Sequence, residues 1–304
     1  MYLKTIFITL IFLLLVGCNS QQETEKTAAL NARKVGVLLV NHGSESKKWR
    51  KMLLNVEDSV KDRVLADNNI GTVKTAFMEY TEPSIATRMK EFDEEHYDEV
   101  IIVPLFLTVS SHSAEDIPTI VGIKSDPKVR ENLEERENIE VYRAKAKVTV
   151  TPLLDFTTLL KKNMLRRVKA LDENTENTGV VLVGYGDQSY NQQWEEMMEE
   201  LGRYLKIKAN IDTVAYAWCG HLVDYSPDPT TQAVNKVFEL EDRAMVVPLL
   251  VAFDKNFQID IIKKGIELSE NAAKVLYEPD AILPDENLND WVVDIISQTM
   301  ENIS

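Results

Sequence analysis

Cysteine, histidine and basic charge are all scarce in this 304-residue chain, and each scarcity excludes something. The two cysteines are Cys18 and Cys219. The first falls in a leader read below, so Cys219 has no intramolecular partner and the fold must hold by burial rather than by a disulfide. Lys and Arg number 34 against 49 Asp and Glu, a net charge of -15. That balance excludes nucleic acid as a partner, which wants a basic surface. It also means that attachment to an anionic membrane would come from lipid, not from a polybasic patch. The pattern Gly-x-Ser-x-Gly is missing around Ser44 and Ser46, which sets aside a serine hydrolase. Asn41 stands where a phosphohistidine phosphatase wants Arg before His-Gly.

A nearly unbroken apolar run, Ile6 to Val16, follows the short basic start Met1-Tyr-Leu-Lys4. It is shorter than the roughly 20 residues that span a bilayer, and it matches the apolar region of a secretory signal. The run closes in Leu15-Val16-Gly17-Cys18, which resembles a bacterial lipobox. The expectation is a signal peptide over 1–17, lipidation at Cys18 and a polar tether over 18–33. The chain would then be a cell-envelope lipoprotein, facing the periplasm or, as Asn19 favours, at the outer membrane. An uptake transporter is a candidate partner for such a protein.

The remaining residues alternate apolar runs with amphipathic stretches, the pattern of βαβ units around a parallel sheet. Strands are expected at Val35–Asn41, Thr72–Met78, Glu99–Leu107 and Ile139–Arg143. Helices are expected near Lys47–Ala66, Pro83–Phe92, Ala114–Val121 and Leu153–Leu171. After a polar linker at 172–178 the order recurs, with strands at Gly179–Gly184, Ile211–Trp218, Ala244–Val251 and Ala273–Glu278. Sequence similarity accompanies the order, at offsets of 143 (Gly43 to Gly186), 144 (Pro104 to Pro248) and 141 (Ala76 to Ala217). The fold class is α/β: two tandem Rossmann-like domains, 34–171 and 179–304, each a small parallel sheet flanked by helices, with a cleft between them.

Four histidines occur in the chain. His42 and His112 each follow an apolar strand, where open α/β sheets place their ligands. Glu79 follows a third strand, so the three side chains can converge at one sheet edge. Two imidazoles and a carboxylate suit a divalent transition metal, Co2+, Fe2+, Ni2+ or Zn2+, and the same groups can act as general bases. The repeat supplies an internal control, because it pairs them with Tyr185, Gly220 and Asn256. Lys47, Lys48 and Arg50 (with Lys51) form the one dense basic cluster, read either as a solvated helix face or as a receiver of ligand carboxylates. Trp49 is expected in the core rather than stacked on a ligand, Asp116 either orienting His112 or, the favoured reading, capping the following helix with Ser113, Cys219-Gly-His221 at a core edge and His96 on the surface.

His-Gly-Ser after the first strand, Ala76-Phe-Met-Glu79 followed by Pro83-Ser84, and Val103–Pro118 together resemble the class II tetrapyrrole chelatases, sirohydrochlorin and anaerobic cobalt chelatases of the CbiX and CbiK type. The resemblance covers nearly the whole mature chain, strongly in the first half and degenerately in the second. It implies insertion of Co2+ or Fe2+ into a tetrapyrrole held in the cleft, with His42, Glu79 and His112 as metal-binding and catalytic residues. Its alternative is a non-catalytic lipoprotein that captures haem, another tetrapyrrole or metal for delivery. Two departures stand out: Ser111 replaces the glycine usual before the third-strand histidine, and members of this family are mostly cytoplasmic.

Overall fold

A computed structural model describes residues 33–154 and 157–303. The expected signal peptide, the expected lipidation at Cys18 and the expected tether up to residue 32 all fall outside the described residues. The first sheet contains β1 (Val35–Asn41), β2 (Ile70–Phe77), β3 (Glu99–Pro104) and β4 (Lys147–Val150), all parallel, in the order β2-β1-β3-β4. The second repeats it with β5 (Thr178–Gly184), β6 (Val214–Trp218), β7 (Arg243–Leu249) and β8 (Val275–Tyr277), in the order β6-β5-β7-β8. In each sheet the chain leaves the first strand to one side and then returns to its other side. The crevice beyond the carboxyl ends of β1 and β3 is therefore a topological switch point, where α/β proteins bind ligands.

Both faces of each sheet are covered, which is why β1 is a continuous apolar run rather than an alternation. Val35, Val37 and Leu39 enter a core shared by both halves, whereas Leu38 and Val40 enter a separate outer core. Between the two sheets lie α1 (Lys47–Val64), α5 (Thr158–Leu171), α6 (Asn191–Ala209) and α9 (Glu286–Ile303), whose apolar faces fill the shared core. On the outer faces lie α2 (Ile85–Glu94) with the short α3 (Ile117–Ile120) and α4 (Pro127–Glu131) and, in the second half, α7 (Asp228–Val237) with the short α8 (Lys264–Glu267). Helix α5 precedes the linker in sequence but packs on α6 and β7, and α9 returns to pack on α1 and β3. The closing helix of each half thus lies on the other half.

The repeat alignment holds in the backbone. Met78 N–H donates to the Asn41 carbonyl and Glu79 N–H to that of His42, each at 2.8 Å. Cys219 and Gly220 do the same to Gly184 and Tyr185, at 2.9 and 3.0 Å. One expected strand is wrong: the fourth strand of the first half is Lys147–Val150, not Ile139–Arg143. Ile139, Val141 and Tyr142 instead pack along the outer core. Asp93 at the end of α2 captures the N–H groups of Lys145 and Ala146 and the Tyr142 hydroxyl, so pairing with β3 starts only at Lys147, opposite Glu99. Among the described residues no helix is long and apolar enough to cross a membrane.

Candidate metal centre

β1, β2 and β3 deliver His42, Glu79 and His112 to one edge. Each residue offers a ligand atom, and these atoms lie within 4.8 Å of one another. The imidazoles stand edge-on, with ring centroids 4.8 Å apart. Gly43 makes the approach possible. Its φ is +111°, and a Cβ there would sit 2.1 Å from the Glu79 carbonyl oxygen, so only glycine lets the β1 loop lie against the β2 end.

Each histidine is oriented through Nδ1. The Nδ1 of His42 lies 3.1 Å from the Gly43 carbonyl oxygen, and that of His112 lies 2.7 Å from Asp116 Oδ2. Both partners are acceptors, so each Nδ1 carries the hydrogen and each Nε2 keeps its lone pair for a metal. The two rings differ in basicity. Burial first, and then the adjacent His112, hold His42 below the usual imidazole range, against the pull of Glu79. Burial also lowers His112, but the hydrogen bond and charge of Asp116 outweigh it and leave His112 raised.

Asp116 is therefore a partner of His112, not the expected helix cap. It makes no side-chain capping bond. The start of the helix is closed by Ser110 and Ser113, which exchange side-chain bonds to each other's N–H at 2.9 and 3.3 Å. A π-helical turn, His112–Asp116, leads into α3 (Ile117–Ile120); such turns occur frequently at functional sites. His112 and Asp116 four apart in a helical stretch was the signal available in the sequence.

The site borders a cleft between the halves, lined by His42, Trp49 and His112 on one side and Tyr185, Trp194, His221 and Phe257 on the other, about 830 Å³ with its opening to solvent counted. Tyr80 and Tyr225 extend the aromatic wall into a second cavity that shares His42 and Tyr185. Tyr80 has φ +64° beside Glu79, and partial desolvation, the Glu79 charge and a hydrogen bond to it push its phenol up to about 12. Trp49 is both a core contact, packed near Phe77, and a cavity residue. Cys219 is buried as expected, but His221 is exposed and stands 3.4 Å from the Tyr185 hydroxyl. His96 is exposed.

The basic cluster stands outside the cavity lining. Arg50 donates to the Ser44 carbonyl at 2.6 Å, Lys48 sits 3.7 Å from the centre of the Phe253 ring, and Lys47 is exposed. Ser46 caps α1 by accepting from Trp49 N–H at 3.3 Å. Tyr185, Gly220 and Asn256 occupy the equivalent positions in the second half, and among the described residues no other group of His, Cys, Asp and Glu meets the same criterion.

The CbiX family model matches residues 36–171, the segment that contains all three converging residues. A sirohydrochlorin cobaltochelatase of Methanocaldococcus jannaschii is 32% identical over 90 residues, 30% of this chain and 60% of that protein. The corresponding protein of Sulfurisphaera tokodaii is 31% identical over 121 residues, 36% of this chain and 95% of that protein. The chain spans 60%, 62% and 63% of the length of the first three curated relatives it matches. Among solved structures, the sirohydrochlorin chelatase SirB from Bacillus subtilis in complex with cobalt superposes with a TM-score of 0.62 at 17% identity, over 88% of this chain and 96% of that one. That likeness is one of fold, two four-stranded parallel sheets flanked by helices. Matched along nearly the full length of a relative above 30% identity, and by the family model across its first half, the chain belongs to the CbiX family.

Proposed function

We propose that the protein inserts a divalent transition-metal ion into a tetrapyrrole of the sirohydrochlorin type. The observation that carries this reading is the convergence of His42, Glu79 and His112 at the border of an aromatic-lined cleft. Co2+ or Fe2+ is the proposed metal substrate, and Ni2+ or Zn2+ would suit the same donors.

Insertion replaces two pyrrole N–H protons by M2+, so the site must hold a partly desolvated ion and then accept two protons. His42, kept neutral by burial, offers Nε2 as ligand. His112 does the same with its basicity raised by Asp116, and Glu79 balances charge. As the ion passes to the ring nitrogens, both Nε2 atoms are freed, and His112 is the stronger proton acceptor of the two. The aromatic walls offer flat surfaces to a macrocycle and limit water. Lys47 and Lys48, outside the cavity lining, are the proposed partners of peripheral carboxylates, whereas Arg50 is engaged with Ser44.

Absorbance of sirohydrochlorin with Co2+, with and without protein, tests the reading. The metallated spectrum should form faster with protein and not with a His42→Ala/His112→Ala variant. Equal rates in all three would sink it. Tight binding of the tetrapyrrole with no acceleration would instead favour capture and delivery, a reading motivated by the lipobox-like Leu15–Cys18. Envelope location, the anchor on Cys18 and delivery to an uptake transporter belong to the same proposal. Mass spectrometry of the mature N-terminus from cells decides the anchor: an unmodified Cys18 would remove it.

A further inference from the structure

The second half contributes no residue to the metal centre, yet it touches both histidine-bearing loops in the same way. Ser44, two residues after His42, donates its hydroxyl to Asp254 Oδ2 at 2.8 Å. Ser111, immediately before His112, donates its hydroxyl to Asp187 Oδ2 at 3.0 Å and its N–H to the same oxygen at 3.2 Å. The two contacts are related by the repeat. Ser44 follows β1 and Asp254 follows β7; Asp187 follows β5 and Ser111 follows β3. Exchanging the halves carries the Ser44–Asp254 contact to Asp187 and Ser110, one residue short of the Ser111 contact observed and with donor and acceptor reversed. Ser44 and Asp187 are equivalent at the offset of 143, and Asp254 is equivalent to Ser110 at 144.

Both aspartates divide their oxygens alike. Asp187 Oδ1 accepts from the N–H groups of Ser189 and Tyr190, at 2.9 and 3.1 Å. Asp254 Oδ1 accepts from Asn256 N–H at 3.0 Å. One oxygen of each carboxylate is thus fixed by its own loop and the other is held out across the cleft. Asp187 is 4% exposed, so its carboxylate is committed to these bonds. Trp194 adds a further tie on the His112 side, its indole N–H donating to the Val109 carbonyl at 3.1 Å.

We propose that Asp187 and Asp254 are positioning residues that hold the His42 and His112 loops at the separation metal binding requires. The ligand-free half is then a brace for the ligands of the other. This rests on the metal-site reading above and assigns the second half its part in it. Partners that orient ligands in this way typically change metal affinity by about 10- to 100-fold when removed.

The test removes the cross-cleft hydroxyls and leaves the aspartates with their own loops. In a Ser44→Ala/Ser111→Ala variant, Co2+ affinity should fall by about tenfold or more, with a changed visible d–d spectrum. Ser44→Thr/Ser111→Thr, which keeps both hydroxyls, should restore both. Without any metal, amide exchange over residues 42–46 and 109–113 should quicken by about tenfold in the alanine variant and leave the core strands unchanged. Exchange unchanged in those loops, with Co2+ affinity within about twofold of the parent, would overturn the brace. If the parent protein itself bound no Co2+, the metal-site reading would fall, and the exchange measurement would still decide whether these aspartates hold the loops.

Discussion

Two histidines of one site, 4.8 Å apart, are set to different basicities by their immediate partners. His42 has a carbonyl at Nδ1 and falls with burial; His112 has a carboxylate and rises in spite of it. A proton on Nε2 competes with a metal, so Co2+ binding should weaken as pH falls, beginning above the ordinary imidazole range because His112 protonates early. Asp116→Asn should lower affinity near neutral pH by about 10- to 100-fold. It should also move the onset of acid loss to lower pH, since burial then prevails at His112. Titrations across pH check both, and an onset that does not move would refute the role given to Asp116. At this scale the sequence showed which three side chains converge, and it offered Asp116 as a partner of His112 only beside the favoured helix cap. His42, Glu79 and His112 each follow an apolar strand, and strand ends are legible. Asp116 can cap a helix or turn toward the preceding turn, and only the local backbone decides between them. Tyr80, Tyr185, Tyr225 and His221 meet through folding alone, so no local pattern marks them.

Among the elements, β1, β3, β5 and β7 were legible because strands buried on both faces leave long apolar runs. The fourth strand was not. Ile139–Arg143 is the more apolar segment, but its backbone is drawn away from the sheet by Asp93, 46 residues before Ile139 in sequence. Backbone and hydroxyl bonds from Lys145, Ala146 and Tyr142 overcome the burial that would raise the Asp93 carboxyl and hold it below the usual carboxylate range. A depressed folded pKa means stability that is fully present above the unfolded pKa and is lost as pH falls through the folded one. Asp93→Asn should therefore cost about 2 kcal/mol at neutral pH, the scale of hydrogen bonds to a charged group. The difference from the parent should narrow below about pH 3.9, where the unfolded carboxyl begins to protonate. Urea unfolding series at several pH values measure this. A parent-to-variant difference that stayed constant into acid would show that the charge on Asp93 contributes nothing.

For the whole molecule, the tandem repeat conceals an exchange. A sequence split at 172–178 looks the same whether each closing helix packs on its own sheet or on its neighbour's, because the apolar stripe of α5 or α9 does not name the surface it meets. In the folded chain α9 lies on α1 and β3, while α5 lies on α6 and β7. Arg33, just before β1, bonds the Ile303 carbonyl at the far end of α9. Asn163 and Arg166 of α5 reach Asp285 just before α9, and Arg167 binds Asp280 at 2.8 Å and the Pro248 carbonyl at 2.7 Å. The halves are consequently parts of one cooperative unit. Leu288, Val292, Ile296 and Met300 of α9 are buried against the shared core. At about 1.5–3 kcal/mol for each buried aliphatic side chain, their removal approaches the roughly 5–15 kcal/mol that separates a folded domain from its unfolded state. A chain ending at Asp285 should therefore lose structure in the first half, although every residue of β1, β2, β3 and the metal centre is retained. Near-ultraviolet dichroism and amide exchange over β1 and α1 should both report that loss, and Co2+ binding should go with it. A truncated chain that melts cooperatively within a few degrees of the parent, with β1 still protected, would mean that the first half stands alone and that the exchange of helices is incidental to it.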